Sequence, residues 1–249
     1  MTWSENMIEQ SLSHESLADH PIVAPRDWLA ARRALLEREK ELTHLRDEVA
    51  QARRALPWER VDKAYVFDTH AGPRQLGDLF EGRSQLVVQH FMLGPGWKQG
   101  CPSCSFMADH TDGAGPHLKQ RDVTFVAVSR ATLEEIDRFK QRMGWRFGWV
   151  SSHGGDFNFD FHVSFTKAQL AGGAVDYNYA QRSGPGEEMP GISVFFKDGA
   201  GEVFHTYSTY GRGVEVMMGT YALLDLVPKG RDEAPGQGMA WVRHHDRYG

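Results

Sequence analysis

The chain has 249 residues, is 41% hydrophobic and 24% charged, and carries a formal net charge of -5. That is enough chain for one good-sized domain with an appendage. The acidic balance argues against a nucleic-acid partner, and no apolar run has the length needed to cross a membrane.

Residues 1–24 show no periodicity and read as a flexible arm. Met1 to Glu15 is polar and lacks a basic segment followed by an apolar stretch, so no secretory signal is expected and the expected location is cytoplasmic. From 25 to 56 the pattern is helical and amphipathic. Trp28, Leu35, Leu42, Leu45, Val49, Ala52 and Leu56 recur at spacings of seven, four and three, with Arg38 interrupting the seam. Pro25 suits the first turn and Pro57 stops the helix. Two readings stay open: a helix packed on its own domain, or a coiled-coil arm that makes a homodimer.

After Val61 the pattern changes. Residues 64–67 form a short strand, 75–80 a short helix and 85–92 a stronger strand, followed by a Gly/Pro loop. A helix runs from Cys101 to about His110 and resumes near His117. The unbroken β-branched run 122–129 is a buried strand, 131–143 a helix and 147–151 a further strand. Residues 152–188, rich in Gly, Asn, Asp and aromatics, read as a long irregular insertion. A strand at 192–196, a turn at 197–201 and a returning strand at 202–208 make a hairpin. A last helix at 213–226 precedes a polar tail, 229–249. The alternation implies parallel βαβ units, with the hairpin making a mixed central sheet flanked by helices: an α/β domain over 57–228.

The two cysteines of the chain lie three positions apart, in Cys101-Pro102-Ser103-Cys104. In a reducing compartment such a pair reads as redox or metal chemistry rather than a structural bridge. Here it follows a strand and opens a helix, where unpaired N–H groups and the helix dipole stabilise a thiolate. Cys101 lies at the exposed helix end as the nucleophile, and Cys104, almost a turn further in, as the resolving thiol. Pro102 fits the first turn and stiffens the motif, with Ser103 beside it. His90, in the strand entering the loop, is a candidate proton relay for Cys104, or else a hydrogen-bonded structural histidine. Trp97 either covers the thiols or fills the loop. Arg130 follows a strand end, where α/β folds bind ligands, and either positions an acidic group or makes a salt bridge. Met189-Pro190-Gly191 stands directly before the hairpin. The cis form of an X-Pro bond costs only about 0.5–1 kcal/mol, so these residues alone leave cis and trans equally open.

The order of a dithiol helix and then a proline before an antiparallel hairpin resembles thioredoxin. Gly100 to Phe106, Val126 to Arg130, Phe157 to Phe161, Phe204 to Ser208 and Lys229 to Glu233 resemble, in combination, the bacterial thioredoxin-like family known as domain of unknown function 899. The resemblance runs from about Trp28 to Tyr248. It implies a thioredoxin-like fold with a long N-terminal helix, and a dithiol–disulfide oxidoreductase acting on a protein or small-molecule thiol or disulfide. It further implies a cis Pro190 facing Cys101, with the Met189 backbone pairing with a bound substrate chain. No cofactor is expected, because the cysteine pair itself holds the electrons. Three features depart from thioredoxin: the Pro-Ser dipeptide, the long loop from Leu93 to Gly100, and the insertion.

Three other functions compete. A peroxiredoxin-like peroxidase uses a proline seven residues and a Thr or Ser three residues before its reactive cysteine, where this chain has Gly94 and Lys98. A zinc site would need histidines near the thiols, and the adjacent His244-His245 would point apart in a strand; no metal is expected. A non-enzymatic binding module would use the aromatics of the insertion, Phe157, Phe159, Phe161, Tyr177 and Tyr179, which otherwise simply pack it down.

Overall fold

The computed structural model describes residues 20–249, so most of the expected arm lies outside the described residues. The chain divides into two compact units. One comprises the residues up to Pro57 together with Tyr221–Trp241; the other comprises Trp58–Thr220 with Val242–Gly249.

In the first unit the helix is α1 (Pro25–Arg54). Pro25 sits in its first turn, where a missing N–H costs no bond. Asp27 at its start and Arg53 and Arg54 at its end complement the helix dipole. None of its residues is buried. In the 221–241 segment, Glu233 accepts hydrogen bonds from Tyr221 Oη (2.7 Å), Trp241 Nε1 (2.7 Å) and the Met239 N–H (2.8 Å). Arg231 pairs with Asp225 at 2.8 Å and lies over the Tyr221 ring.

The second unit is built on β1 (Glu59–Arg60), β4 (Gln85–His90), β5 (Val123–Ser129), β6 (Gly148–Ser151), β9 (Gly191–Lys197) and β10 (Val203–Tyr210). They form a six-stranded mixed sheet in the order β1-β10-β9-β4-β5-β6. β4, β5 and β6 are parallel, and β9 pairs antiparallel with both β4 and β10. Two crossovers connect the parallel strands. The first contains α2 (Pro102–Asp112) and α3 (Gly115–Gln120). The second is α4 (Leu133–Met143), started by a Thr132–Glu135 capping box and ended by Gly144 in the left-handed conformation. A dithiol helix after a central parallel strand, and an antiparallel hairpin on that strand's other side, make this a thioredoxin-like fold.

Alternation along β4 divides the core. Leu86 and Val88 join Phe157, Phe161, Phe195 and Tyr210 on one face. Phe91, just past the strand, joins Cys104, Ala108, Phe139, Trp145 and Trp149 on the other.

Several local expectations differ from what forms. The 64–67 strand is reduced to β2 (Val66–Phe67), which pairs with β3 (Arg74–Gln75) outside the main sheet. The 75–80 helix is a 3-10 turn, Leu76–Phe80. The insertion is not irregular throughout. It holds α5 (Phe157–Asp160), α6 (Lys167–Ala171) and a hairpin of β7 (Val175–Tyr177) and β8 (Ala180–Arg182). Phe157, Phe161, Val163, Phe165, Val175 and Tyr177 are all buried, so its aromatics mainly pack it onto the sheet, although Tyr179 stays 78% exposed. The 213–226 helix is broken into a 3-10 stretch, Gly211–Met217, and the short α7 (Gly219–Leu224). The end of the polar tail belongs to the second unit, with Val242 and His244 buried. No helix among the described residues is long and apolar enough to cross a membrane.

Candidate active site

The dithiol sits where β4 hands over to α2. Cys101 is the N-cap of α2 in an extended conformation, Pro102 follows in the first turn, and Cys104 lies in that same turn. Cys101 is half-buried and Cys104 is 1% exposed; both are free thiols. The Cys101 N–H donates to the Met92 carbonyl (3.0 Å), tying the helix start to the end of β4. Ser105 returns two bonds to the Cys101 carbonyl, from its N–H (3.0 Å) and its hydroxyl (2.9 Å). Gln89 Nε2 donates to the Cys104 carbonyl at 3.0 Å.

These surroundings separate the acidities of the two thiols. The Cys104 S–H donates to the Cys101 sulfur. That bond, with the backbone N–H groups of Cys104 and Ser103 and the Ser103 hydroxyl, outweighs burial and lowers Cys101 to about 6. Cys104 moves the other way: it is the donor to Cys101, it is buried, and it faces the developing thiolate, so its pKa lies well above that of an ordinary thiol.

Arg130 meets a partner that the sequence reading missed. Its Nη1 lies 2.8 Å from Glu188 Oε1, and its guanidinium stacks 4.4 Å from the Phe159 ring centre. Glu188 is 3% exposed and also accepts from Ser164 Oγ at 2.7 Å. This buried ion pair adjoins the dithiol loop. The Ala131 N–H donates to the Leu93 carbonyl (2.9 Å), and a Cβ placed on Gly94 would lie 3.0 Å from the Trp97 indole nitrogen and 3.3 Å from Glu188 Cγ. Trp97 therefore folds back over its own loop beside Glu188. Arg130, Trp97 and the residues leading into Met189 and Pro190 thus come together at the C-terminal ends of β4 and β5.

Pro190 requires a correction. No cis peptide bond occurs among the described residues, so the Met189–Pro190 bond is trans. The reason is the path of the chain. Met189 donates to the Val163 carbonyl (2.8 Å) across the Ser164–Glu188 bridge, and Gly191 already pairs with His90 in β9. The Met189–Pro190 bond joins these two laddered stretches, and a trans bond carries the chain from one into the other. The Pro190 carbonyl accepts from Tyr177 Oη (2.8 Å), which also accepts from the Gly211 N–H (3.0 Å).

His90 does not reach the thiols. It is 1% exposed, on the face of the sheet opposite to Gln89, stacked against Phe157 and Phe161. Its Nε2 bonds Ser193 Oγ (2.7 Å), which leads through Ser208 to His205. Burial, with His205 nearby, pushes its pKa down to about 3. It is a neutral structural imidazole, not a relay for Cys104.

The C-terminal segment supplies an unexpected contact. His244 Nε2 donates to the Gly100 carbonyl at 2.9 Å, and its Nδ1 accepts from Arg142 Nη2 at 3.2 Å. Arg142 is held by both oxygens of Asp246 at 2.8 Å and reaches Gln99 Oε1 at 3.2 Å. His245 turns instead to Asp109 Oδ1 (2.7 Å). Gly100 itself tolerates no side chain: a Cβ would lie 2.4 Å from Phe91 Cε1 and 2.8 Å from Phe139 Cε1. The residue before Cys101 is therefore clamped from both sides. His244 thus anchors the carbonyl of the residue before Cys101. His244→Ala leaves the Gly100 carbonyl without its donor, at a cost of about 1–3 kcal/mol. It is expected to move the pH midpoint of Cys101 alkylation upward, while His244→Gln, which keeps a donor, restores it. A fall in thermal stability with an unmoved midpoint would reduce His244 to a packing role.

Among the described residues no group of three or more His, Cys, Asp or Glu side chains is placed to hold a metal ion.

The family described as bacterial protein of unknown function, DUF899, matches residues 17–248, and the chain belongs to that family. No protein of curated function matches the sequence. Among solved structures, the chain is similar to peroxidoxin BcpB from Mycobacterium tuberculosis, with 13% identity and a TM-score of 0.43 over 66% of this chain and 95% of that one. It is similar to a C84S mutant of peroxiredoxin Q from Xanthomonas campestris, with 13% identity and a TM-score of 0.43 over 68% and 98%. A yeast mitochondrial 1-Cys peroxiredoxin is 18% identical, with a TM-score of 0.37 over 68% and 76%.

Proposed function

We propose that this protein is a thiol–disulfide oxidoreductase working through Cys101 and Cys104. The observation that carries the reading is the placement of the two thiols: Cys101 is half-buried at the N-cap of α2, where the Cys104 S–H and the Ser103 donors favour its thiolate, and Cys104 is buried in that same turn, where its acidity is suppressed. Exchange needs an accessible thiolate to attack and a second thiol held in reserve until a mixed disulfide forms.

The steps follow from that arrangement. The Cys101 thiolate attacks one sulfur of a substrate disulfide, the substrate S–S bond breaks, and the first thiolate leaves and is protonated. Cys104 then loses its proton and attacks the Cys101 sulfur. This forms the Cys101–Cys104 disulfide and expels the second substrate sulfur, which takes the proton. Two electrons pass from the dithiol to the substrate. Pro102 and Ser103 hold the helix start, and the Ser103 donors support the Cys101 thiolate. Trp97 and Arg130 with Glu188 form the substrate side. With a trans bond at Pro190, the substrate-side role expected of a cis-proline and of the Met189 backbone falls away. The substrate is a thiol or disulfide, and no separate cofactor enters the cycle. The test is turnover of a disulfide substrate by the full chain, with the cysteine variants treated in the Discussion.

A further inference from the structure

Helix α1 spans 30 residues, about 45 Å at 1.5 Å per residue, and buries none of them. An amphipathic helix draws most of its stability from covering its apolar stripe. Among the described residues that stripe stays exposed: Trp28 is 59% exposed, Leu35 54%, Leu42 46%, Leu45 54% and Val49 41%. Its spacing names the partner. Within α1, Trp28, Leu35, Leu42 and Val49 fall seven apart, at the a positions of a heptad, and Ala31, Arg38, Leu45 and Ala52 fall at d.

We propose that α1 forms a parallel two-stranded coiled coil with a second copy of this chain. The charges beside the seam choose both the occupant and the direction. In this register the g positions hold Asp27, Ala34, Glu41 and Glu48, and the e positions hold Arg32, Glu39, Arg46 and Arg53. A parallel pair sets each g residue against the e residue five positions later on the other copy. That matches Asp27 with Arg32, Glu41 with Arg46 and Glu48 with Arg53, three acid–base pairs repeated on both sides of the seam. An antiparallel pair sets e against e and g against g, bringing Arg32 onto Arg53 and Asp27 onto Glu48. The same antiparallel register also sets Glu39 against Arg46, so it mixes attraction with repulsion, whereas in the parallel register every pair of opposed charges attracts.

Arg38 is the exception on the seam. In the parallel pair it meets its own counterpart, with Glu39 and Glu41 beside it as counter-charges; in the single chain it bonds Glu41 at 2.6 Å. A lone polar seam residue lowers stability and fixes register.

Sedimentation equilibrium of the full chain tests this, with a species of twice 28.1 kDa expected. Leu42→Asp with Leu45→Asp replaces exposed side chains, so the chain stays folded by circular dichroism and becomes monomeric. Glu41→Lys with Glu48→Lys on one chain, or Arg46→Glu with Arg53→Glu on another, each weakens self-association by about tenfold or more, and mixing the two restores pairing. A monomeric natural chain, a dimer that survives the Leu42 and Leu45 changes, or a mixture that fails to recover would each overturn the proposal. None of these outcomes bears on the dithiol chemistry, which rests on separate residues.

Discussion

Cys101→Ser is expected to lower disulfide turnover by at least about a thousandfold, because it removes the attacking sulfur. Cys104→Ser is expected to fail differently. It keeps Cys101 and a hydroxyl at the donor position, so the first attack still occurs, but nothing resolves the product. A mixed disulfide between Cys101 and the substrate then accumulates and is visible by mass. The difference between the variants assigns the order of the two thiols, which turnover alone does not. If Cys101→Ser stays active, or Cys104→Ser turns over normally, the assignment of roles is wrong. The natural chain is expected to consume a hydroperoxide slowly by comparison with a disulfide; the reverse preference would move the reading to a peroxidase.

Arg130→Ala is expected to destabilise the second unit by about 3 kcal/mol, because it leaves the Glu188 carboxylate buried without its counter-charge. In a domain of this size that is a fall in melting temperature of roughly 6–12 °C. The loss depends on pH. Burial raises the Glu188 carboxyl above its ordinary 4.5, with Ser164 and Arg130 opposing that rise. A raised carboxyl holds its proton more tightly folded than unfolded, so folding stability falls as pH rises through the folded value. Removing Arg130 raises it further. The gap between variant and natural chain is therefore small near the ordinary carboxyl pKa and widens toward neutrality. Adding Glu188→Gln to Arg130→Ala removes the stranded charge and recovers much of the loss. Thermal melts of the three proteins across that range check this, and a gap that does not change with pH would contradict it.

The dithiol helix was legible in the sequence because its signals are local. A continuous run into His90, a Gly/Pro loop and a proline beside the first cysteine place Cys101 at the helix start without any distant contact. The hairpin was legible for the same reason. Asp198, which accepts from the Ala200 and Glu202 N–H groups, marks the turn in the sequence itself. What the sequence hid depends on contacts across the fold. Glu188 reads as one polar residue among several in a glycine-rich stretch, and only the approach of Arg130, 58 residues away, makes it half of a buried pair. His244 lies in a polar tail and reaches Gly100 across 144 positions. The polar run around it carries no periodic pattern that would announce a docked strap. Pro190 misled for a related reason. The thioredoxin order implied a cis bond there, but the bridge from Ser164 to Glu188 extends the chain before β9. The short β7 and β8, three residues each, have too few positions for a period to show.

The lowered pKa of Cys101 is the quantity on which the proposed chemistry turns. It is measured directly by following the rate of Cys101 alkylation against pH in the reduced full chain, with the modified residue identified by mass. The account predicts a single midpoint at about 6 for Cys101 and no modification of Cys104 in that range. A midpoint near the ordinary thiol value of about 8.5, or preferential modification of Cys104, would contradict it.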